Sequence, residues 1–290
     1  MTASSQGEAT GMFYVAPSLA AALDTLNDYG PDGAAFAGGT WIMRAPIRHQ
    51  PLKTHYVAIG KIPELTVIRI GTDAIEIGAA VTHAALTAAL TDLPEFAVLA
   101  AAAGRSANPA IRAMATIGGN LSASDFSAAD CVPALLCLDT QVEVSSRDGH
   151  ERISIDAFLK RRSTFAPGQL LTKIVVPRSG HKTAHSRLPL RKAGDYPVAI
   201  VSLSVDVDPT NQVRRHGSPS VRSRWPHAAG NGSKRLWLAA SWIPHWLRIS
   251  PLILPTNSPA ARASRYPPGI ASGCCPVLSG ARLPPLLAFE

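Results

Sequence analysis

The chain has 290 residues and 46% apolar content, enough for about two domains and a sizeable core. No apolar run reaches the roughly 18 residues of a membrane span, and residues 1–11 lack the basic and apolar regions of a signal peptide, which points to the cytoplasm. The net charge of +8 lies wholly in the tail: residues 1–214 carry 19 basic and 19 acidic side chains, and residues 215–290 carry nine and one, which argues against a nucleic-acid-binding face on the folded part.

Residues 13–15 read as a short strand. Pro17-Ser18 then opens a helix with Leu19, Leu23 and Leu26 on one stripe, ended by Gly30. Residues 34–37 form a second strand that runs into Gly38-Gly39, and a helix start is expected at 41–44. Strand–helix–strand–glycine is not a dinucleotide fingerprint here, because no G-x-G-x-x-G follows the first strand. Residues 56–59 are a strand and 62–65 a turn. Residues 67–70 and 74–77 alternate as a hairpin around Gly71-Thr72-Asp73.

Thr82 caps a helix from His83 to Leu90, with His83 expected as a solvated first-turn residue. Pro94 opens a longer alanine-rich helix over 95–103. Residues 108–112 lead into a second glycine pair, Gly118-Gly119. Asp130 reads as the N-cap of an apolar helix over 132–138. Residues 141–145 and 151–155 form a hairpin around Asp148-Gly149. The cluster Lys160-Arg161-Arg162 reads as a solvated charge run. Residues 170–177 are a strand stopped by Pro177, and 198–207 are another. Cys131 and Cys137 read as buried thiols. With no C-x-x-C among the four cysteines, no iron–sulfur cluster or structural zinc is expected.

The chemistry concentrates at the two glycine pairs. Glycine lets backbone come close to a ligand and reach positive φ, and successive N–H groups in such a turn form an anion nest. Two such loops, each entered from an apolar run, suggest a clamp on one diphosphate. Ala37-Gly38-Gly39-Thr40 and Ala113-Met114-Ala115-Thr116-Ile117-Gly118-Gly119-Asn120 resemble the two flavin loops of the FAD-binding, or medium, subunit of molybdenum hydroxylases, the group that includes xanthine, carbon monoxide and aldehyde dehydrogenases. The resemblance covers residues 10–214.

It implies an α+β, two-subdomain FAD-binding fold of the vanillyl-alcohol-oxidase/PCMH type over residues 1–177, with subdomains 10–54 and 55–177. Residues 178–214 would start the C-terminal domain. Implied FAD contacts are Ala37, Gly38, Gly39, Thr40, Trp41, Thr116, Ile117, Gly118, Gly119, Asn120, Asp130, Leu171 and Arg187. Asp130 would meet the adenosine part, and Arg187 stands where the family has a flavin-contacting Lys. The run to Asp130 departs from the family in Phe126, where Pro is usual, and in one extra residue. Arg112 reads as a structural pin on the loop ahead of a flavin contact. Arg191, Lys192, Asp195 and Tyr196 resemble the start of the family's C-terminal domain.

The implied function is electron relay from a 2Fe-2S small subunit through FAD to NAD+, oxygen or another acceptor, with a molybdopterin-binding large subunit as the second partner. No catalytic acid–base residue, metal ligand, nucleic acid or membrane is expected. Two rivals stand beside it: a stand-alone flavin oxidase of the same fold family, and a basic non-enzymatic binding protein. From Arg215 the composition turns to Pro, Arg and Ser, with four of the five Trp and a single acid. No helix or strand period is readable there. Out-of-frame translation of a GC-rich gene and a natural disordered tail are the two readings of residues 215–290.

Overall fold

The computed structural model describes residues 12–189, 196–206 and 220–224. Arg191, Lys192, Asp195 and nearly all of the tail lie outside the described residues. The N-terminal sheet is built from β1 (Met12–Val15), β2 (Gly33–Phe36) and β3 (His55–Ala58), all parallel, with β3 in the middle. Between β1 and β2 runs α1 (Leu19–Tyr29), capped by Ser18 and stopped by Gly30 at φ +56°. Its stripe of Ala22, Leu23 and Leu26 packs with Val57 and Ile59 into a small core. Because β3 is the central strand of this sheet, the first subdomain reaches at least Ala58, past the break expected at 54.

After the short helix α2 (Pro63–Thr66), which replaces the expected turn, comes a five-stranded antiparallel sheet. Its strands are β4 (Ile68–Ile70) and β5 (Ala74–Gly78) on one side, then, after the helices named next, β6 (Gln141–Ser146), β7 (Gly149–Ser154) and β8 (Leu170–Pro177). The spatial order is β4-β5-β8-β6-β7. The alternation read from sequence holds: Ile75 and Ile77 are buried, while Glu76 between them faces outward. On that outer face Arg69, Glu76, Lys173, Glu143 and Arg152 make a row of alternating charges.

The inner face carries the main core with α3 (His83–Leu90), α4 (Ala97–Gly104), α6 (Ile117–Ser122), α7 (Cys131–Cys137) and α8 (Ile155–Arg161); α5 (Pro109–Met114) lies between α4 and α6. A 3-10 turn over Pro94–Phe96 precedes α4, so the helix starts later than Pro94 suggests. Alanines at 102 and 103 are fully buried, consistent with close helix packing. Cys131 and Cys137 are free and buried, as read from sequence.

Beyond β8, β9 (Lys182–Pro189), β10 (Pro197–Val205) and β11 (Ser220–Arg224) form an antiparallel sheet in the order β11-β10-β9. It contacts α4 and α7. The strand β11 is a correction: residues 220–224 pair with β10 from Ile200 to Ser204, although no strand period was readable there. The pairing is a backbone property, and a five-residue edge between prolines is too short to show a period.

Candidate functional site

Both glycine pairs border one cavity of about 1470 Å³ between the N-terminal sheet and the five-stranded unit. Pockets for compact ligands span roughly 300–1,000 Å³, so the size suits something larger and extended. Residues 37–41, 116, 118–120, 130, 171 and 187 all line it, which covers every expected contact except Ile117. The Ile117 side chain is fully buried in the main core instead.

The first pair leaves its backbone donors open. Phe36 ends β2, its carbonyl held by the N–H of Ile59 at 2.9 Å. Gly39 then takes φ +69°, a conformation that favours glycine. A Cβ on Gly38 would overlap the carbonyl oxygen of Met114, so the two loops touch through backbone. Among the described residues, the N–H groups of Gly38, Gly39, Thr40 and Trp41 have no protein acceptor. Four such donors in succession, beside a positive-φ glycine, have the make-up of an anion nest.

The second pair does not. Thr116 caps α6, its Oγ1 accepting from the Gly119 N–H at 3.1 Å. The N–H groups of Ile117 and Gly118 donate to the carbonyls of Val81 (2.9 Å) and Ala79 (2.8 Å), and that of Asn120 to Thr116 O at 2.9 Å. All four donors are satisfied within the protein, so the expected second nest is absent. Gly118 is glycine for packing: a Cβ there would lie 2.5 Å from Ala79 O and 2.7 Å from Ala79 Cβ. What α6 offers the cavity is a side chain. Asn120 is only 9% exposed, and its Oδ1 has no hydrogen-bond partner.

Two residues that hold α6 were misread from the sequence. His83 is buried, not solvated. Its Nδ1 lies 2.7 Å from Ser106 Oγ, and its own N–H donates to Ala115 O at 2.9 Å. Burial pulls its pKa down to about 4, with a hydrogen bond to the Thr116 backbone working against that and Arg112 adding to it. Arg162 is also buried and donates to the carbonyl of Leu121, whereas Arg161 stays exposed on Glu151. Neither position shows periodicity or a motif that would reveal burial. Arg112 donates to the Ala107 carbonyl, a pin on the preceding loop.

Asp130 begins α7 but makes no capping hydrogen bond. Its carboxylate, 1% exposed, turns toward β9, where Arg187 Nε lies 3.0 Å and His185 Nε2 4.0 Å from Oδ1. Arg187 Nε is within ion-pair distance without hydrogen-bond alignment, so Asp130 Oδ1, Arg187 Nε and His185 Nε2 all lack a hydrogen-bond partner. Arg187 Nη1 donates to Arg105 O at 2.5 Å. Burial pushes Asp130 up to about 7, against the pull of Arg187. Burial, with Arg187 and Arg105, lowers His185 to about 4. Cys131 sits 4.0 Å from His83 Nε2, but burial pushes its thiol well up, the opposite of an activated nucleophile.

Residues 7–179 match the family described as "FAD binding domain in molybdopterin dehydrogenase". The carbon monoxide dehydrogenase medium chain of Afipia carboxidovorans is 33% identical over 194 residues, 64% of this chain and 65% of that one. The nicotinate dehydrogenase FAD-subunit of Eubacterium barkeri is 28% identical over 204 residues, 68% of this chain and 69% of that one. The chain thus spans about two thirds of these relatives' lengths. Among solved structures, reconstituted CO dehydrogenase from Oligotropha carboxidovorans superposes with a TM-score of 0.67 at 27% identity, covering 74% of each chain. The cyanide-inactivated Cu,Mo-CO dehydrogenase gives 0.68 at 25%, covering 78% of this chain and 77% of that one. No helix among the described residues is long and apolar enough to cross a membrane.

Proposed function

The chain belongs to the family of FAD-binding domains of molybdopterin dehydrogenases, and from that premise we propose that it is the flavin-carrying, electron-transferring subunit of a molybdenum hydroxylase complex. The carrying observation is the run of four N–H groups at 38–41, without an acceptor among the described residues, on a loop that lines a cavity of about 1470 Å³. A diphosphate suits such donors, since charge-assisted hydrogen bonds are the strong ones. The orphaned Oδ1 of Asn120 needs a donor, and a dinucleotide brings hydroxyl and amino groups. Asp130 and Arg187, joined across the junction with β9, line the same cavity.

In this reading residues 38–41 hold the phosphates, Thr116 and Asn120 form the opposite wall, and Asp130, Leu171 and Arg187 line the rest. Bound FAD supplies the one- and two-electron chemistry, while the chain positions it and excludes water. The partners we propose are a molybdopterin-binding large subunit and a 2Fe-2S small subunit. NAD+, oxygen or another acceptor would take the electrons, and the cytoplasm is the compartment that fits such an assembly. The test is reconstitution: the purified chain should take up one FAD and release it on denaturation. A folded, colourless protein that ignores added FAD would sink the proposal.

A further inference from the structure

The two walls of the cavity offer different groups, free N–H donors on the loop after β2 and Asn120 on α6. One ligand meets both only at one separation of the walls. At one end backbone sets that separation, where Gly38 packs on Met114. At the other end only side chains do. Trp41, two residues past the first glycine pair, donates its indole N–H to Asp125 Oδ1 at 2.8 Å. Asp125 lies just beyond α6. Its Oδ2 accepts from Gln50 Nε2 at 3.3 Å and lies 3.3 Å from Arg48 Nε. Arg48 in turn stacks its guanidinium 4.1 Å from the Trp41 ring centroid and donates to Trp41 O at 3.0 Å. Phe126 packs against the indole with centroids 4.4 Å apart. One carboxylate from the α6 side thus gathers three groups of the first subdomain.

We propose that Asp125 is a positioning residue that retains bound FAD, by tying the first glycine loop to the segment after α6 and fixing the spacing of the two walls. The proposal rests on the FAD reading above. Asp125 touches the loop through Trp41 and acts on the cofactor indirectly, so its loss should speed release more than it slows capture. Without the bridge the N–H groups and Asn120 remain, but the spacing between them is no longer fixed.

The experiment measures FAD release from the reconstituted full-length protein, by recovery of flavin fluorescence after dilution. Asp125→Ala should raise the dissociation rate about tenfold, the weight of one hydrogen bond to a charged group. The association rate and the melting temperature of the FAD-free protein should stay at wild-type values. Asp125→Asn keeps an acceptor for the indole but loses the attraction for Arg48, and should fall between the two. Trp41→Phe keeps a ring and removes the N–H, so it should also speed release and add nothing on top of Asp125→Ala. A wild-type protein that binds no FAD defeats the FAD reading. Stoichiometric binding in the wild type with unchanged release from Asp125→Ala overturns the positioning role alone, as does additivity of the two variants. Should Asp125→Ala also melt lower without FAD, Trp41→Phe decides by the same release rate.

Discussion

Two Gly-Gly pairs, alike in sequence, do opposite work in this molecule. Gly38-Gly39 follows a strand, reaches positive φ and leaves its N–H groups without protein acceptors. Gly118-Gly119 opens a short helix, and its N–H groups are used up on Ala79 and on the Thr116 cap. In the first pair glycine provides the positive φ of an open loop. In the second, Gly118 provides room for the protein itself. The difference lies in the partners of the backbone, which neither the dipeptide nor its flanking Thr and Asn reveal.

The largest effect should come from Gly118→Val. The new Cβ would lie 2.5 Å from the Ala79 carbonyl oxygen, which belongs to backbone and cannot swing aside. Overpacking of this kind costs about 3 kcal/mol, or roughly 10 °C in melting temperature for a domain of this size. The loss should appear in the FAD-free protein, and excess FAD should restore only part of it. An unchanged melting temperature would mean that α6 does not pack on Ala79 as described.

Gly39→Val should divide the other way. Left-handed backbone costs a branched residue about 1–2 kcal/mol, so the fold should survive. The loop, however, would leave φ +69° and scatter its donors. FAD affinity should fall about a hundredfold, equivalent to one or two hydrogen bonds to a charged group. Equilibrium titration followed by flavin fluorescence measures it. Wild-type affinity would show that the first loop is an ordinary turn.

Acidification should act on the second pair before the first. The loop at 37–41 has no titratable side chain, whereas α6 is held by buried His83. His83 and His185 titrate near 4 in the fold instead of 6.5, so they contribute stability that is present above about 6.5 and lost as pH falls toward 4. Asp130, raised from 3.8 to about 7, works in the opposite sense: its buried charge destabilises above about 7, and the penalty fades as pH falls toward 3.8. Between pH 6.5 and 4, unfolding takes up protons on both histidines and releases one from Asp130, a net uptake of about one proton. Stability from these three groups should therefore drop by about 1 kcal/mol between pH 6.5 and 5. Urea unfolding at the two pH values checks it. Replacing both histidines by Gln should reverse the sign, leaving only the effect of Asp130.

Most of the fold was legible because periodicity reports burial. The alternating Ile75-Glu76-Ile77, the helix opening at Ser18 and the Thr82 cap appear as read, and of the α1 stripe Leu23 and Leu26 are buried, with Ala22 beside them and Leu19 only partly covered. Both glycine loops, read from sequence, line one cavity. What the sequence concealed were long-range partners. Asp130 at the start of an apolar helix looks like a cap, yet its carboxylate faces Arg187, 57 positions away in the chain. A lone His83 in a first helical turn looks solvated, and only the packing of α4 and α5 against α3 shows otherwise. The Asp125–Trp41 bridge spans 84 residues and belongs to no local pattern.

The smallest expected effect is the most telling for the comparison. Gly119 has helical backbone, and a Cβ there would meet only Thr116 Oγ1, at 3.0 Å. Alanine favours a helix over glycine by roughly 0.5–1 kcal/mol, which offsets a slight shift of the threonine hydroxyl. Gly119→Ala should therefore change stability by less than about 1 kcal/mol in either direction. FAD affinity should change by no more than a few-fold, because the Gly119 N–H is already held by the cap and the phosphates do not depend on it. Had the second pair been a phosphate nest like the first, the same methyl group would stand between backbone and ligand, and affinity would collapse. Titrating Gly119→Ala and Gly39→Ala side by side makes the contrast direct: the second should lose FAD at least tenfold more readily than the first, through the strain of alanine at φ +69°. Equal losses in the two variants would restore the symmetric reading and refute the division of labour drawn here.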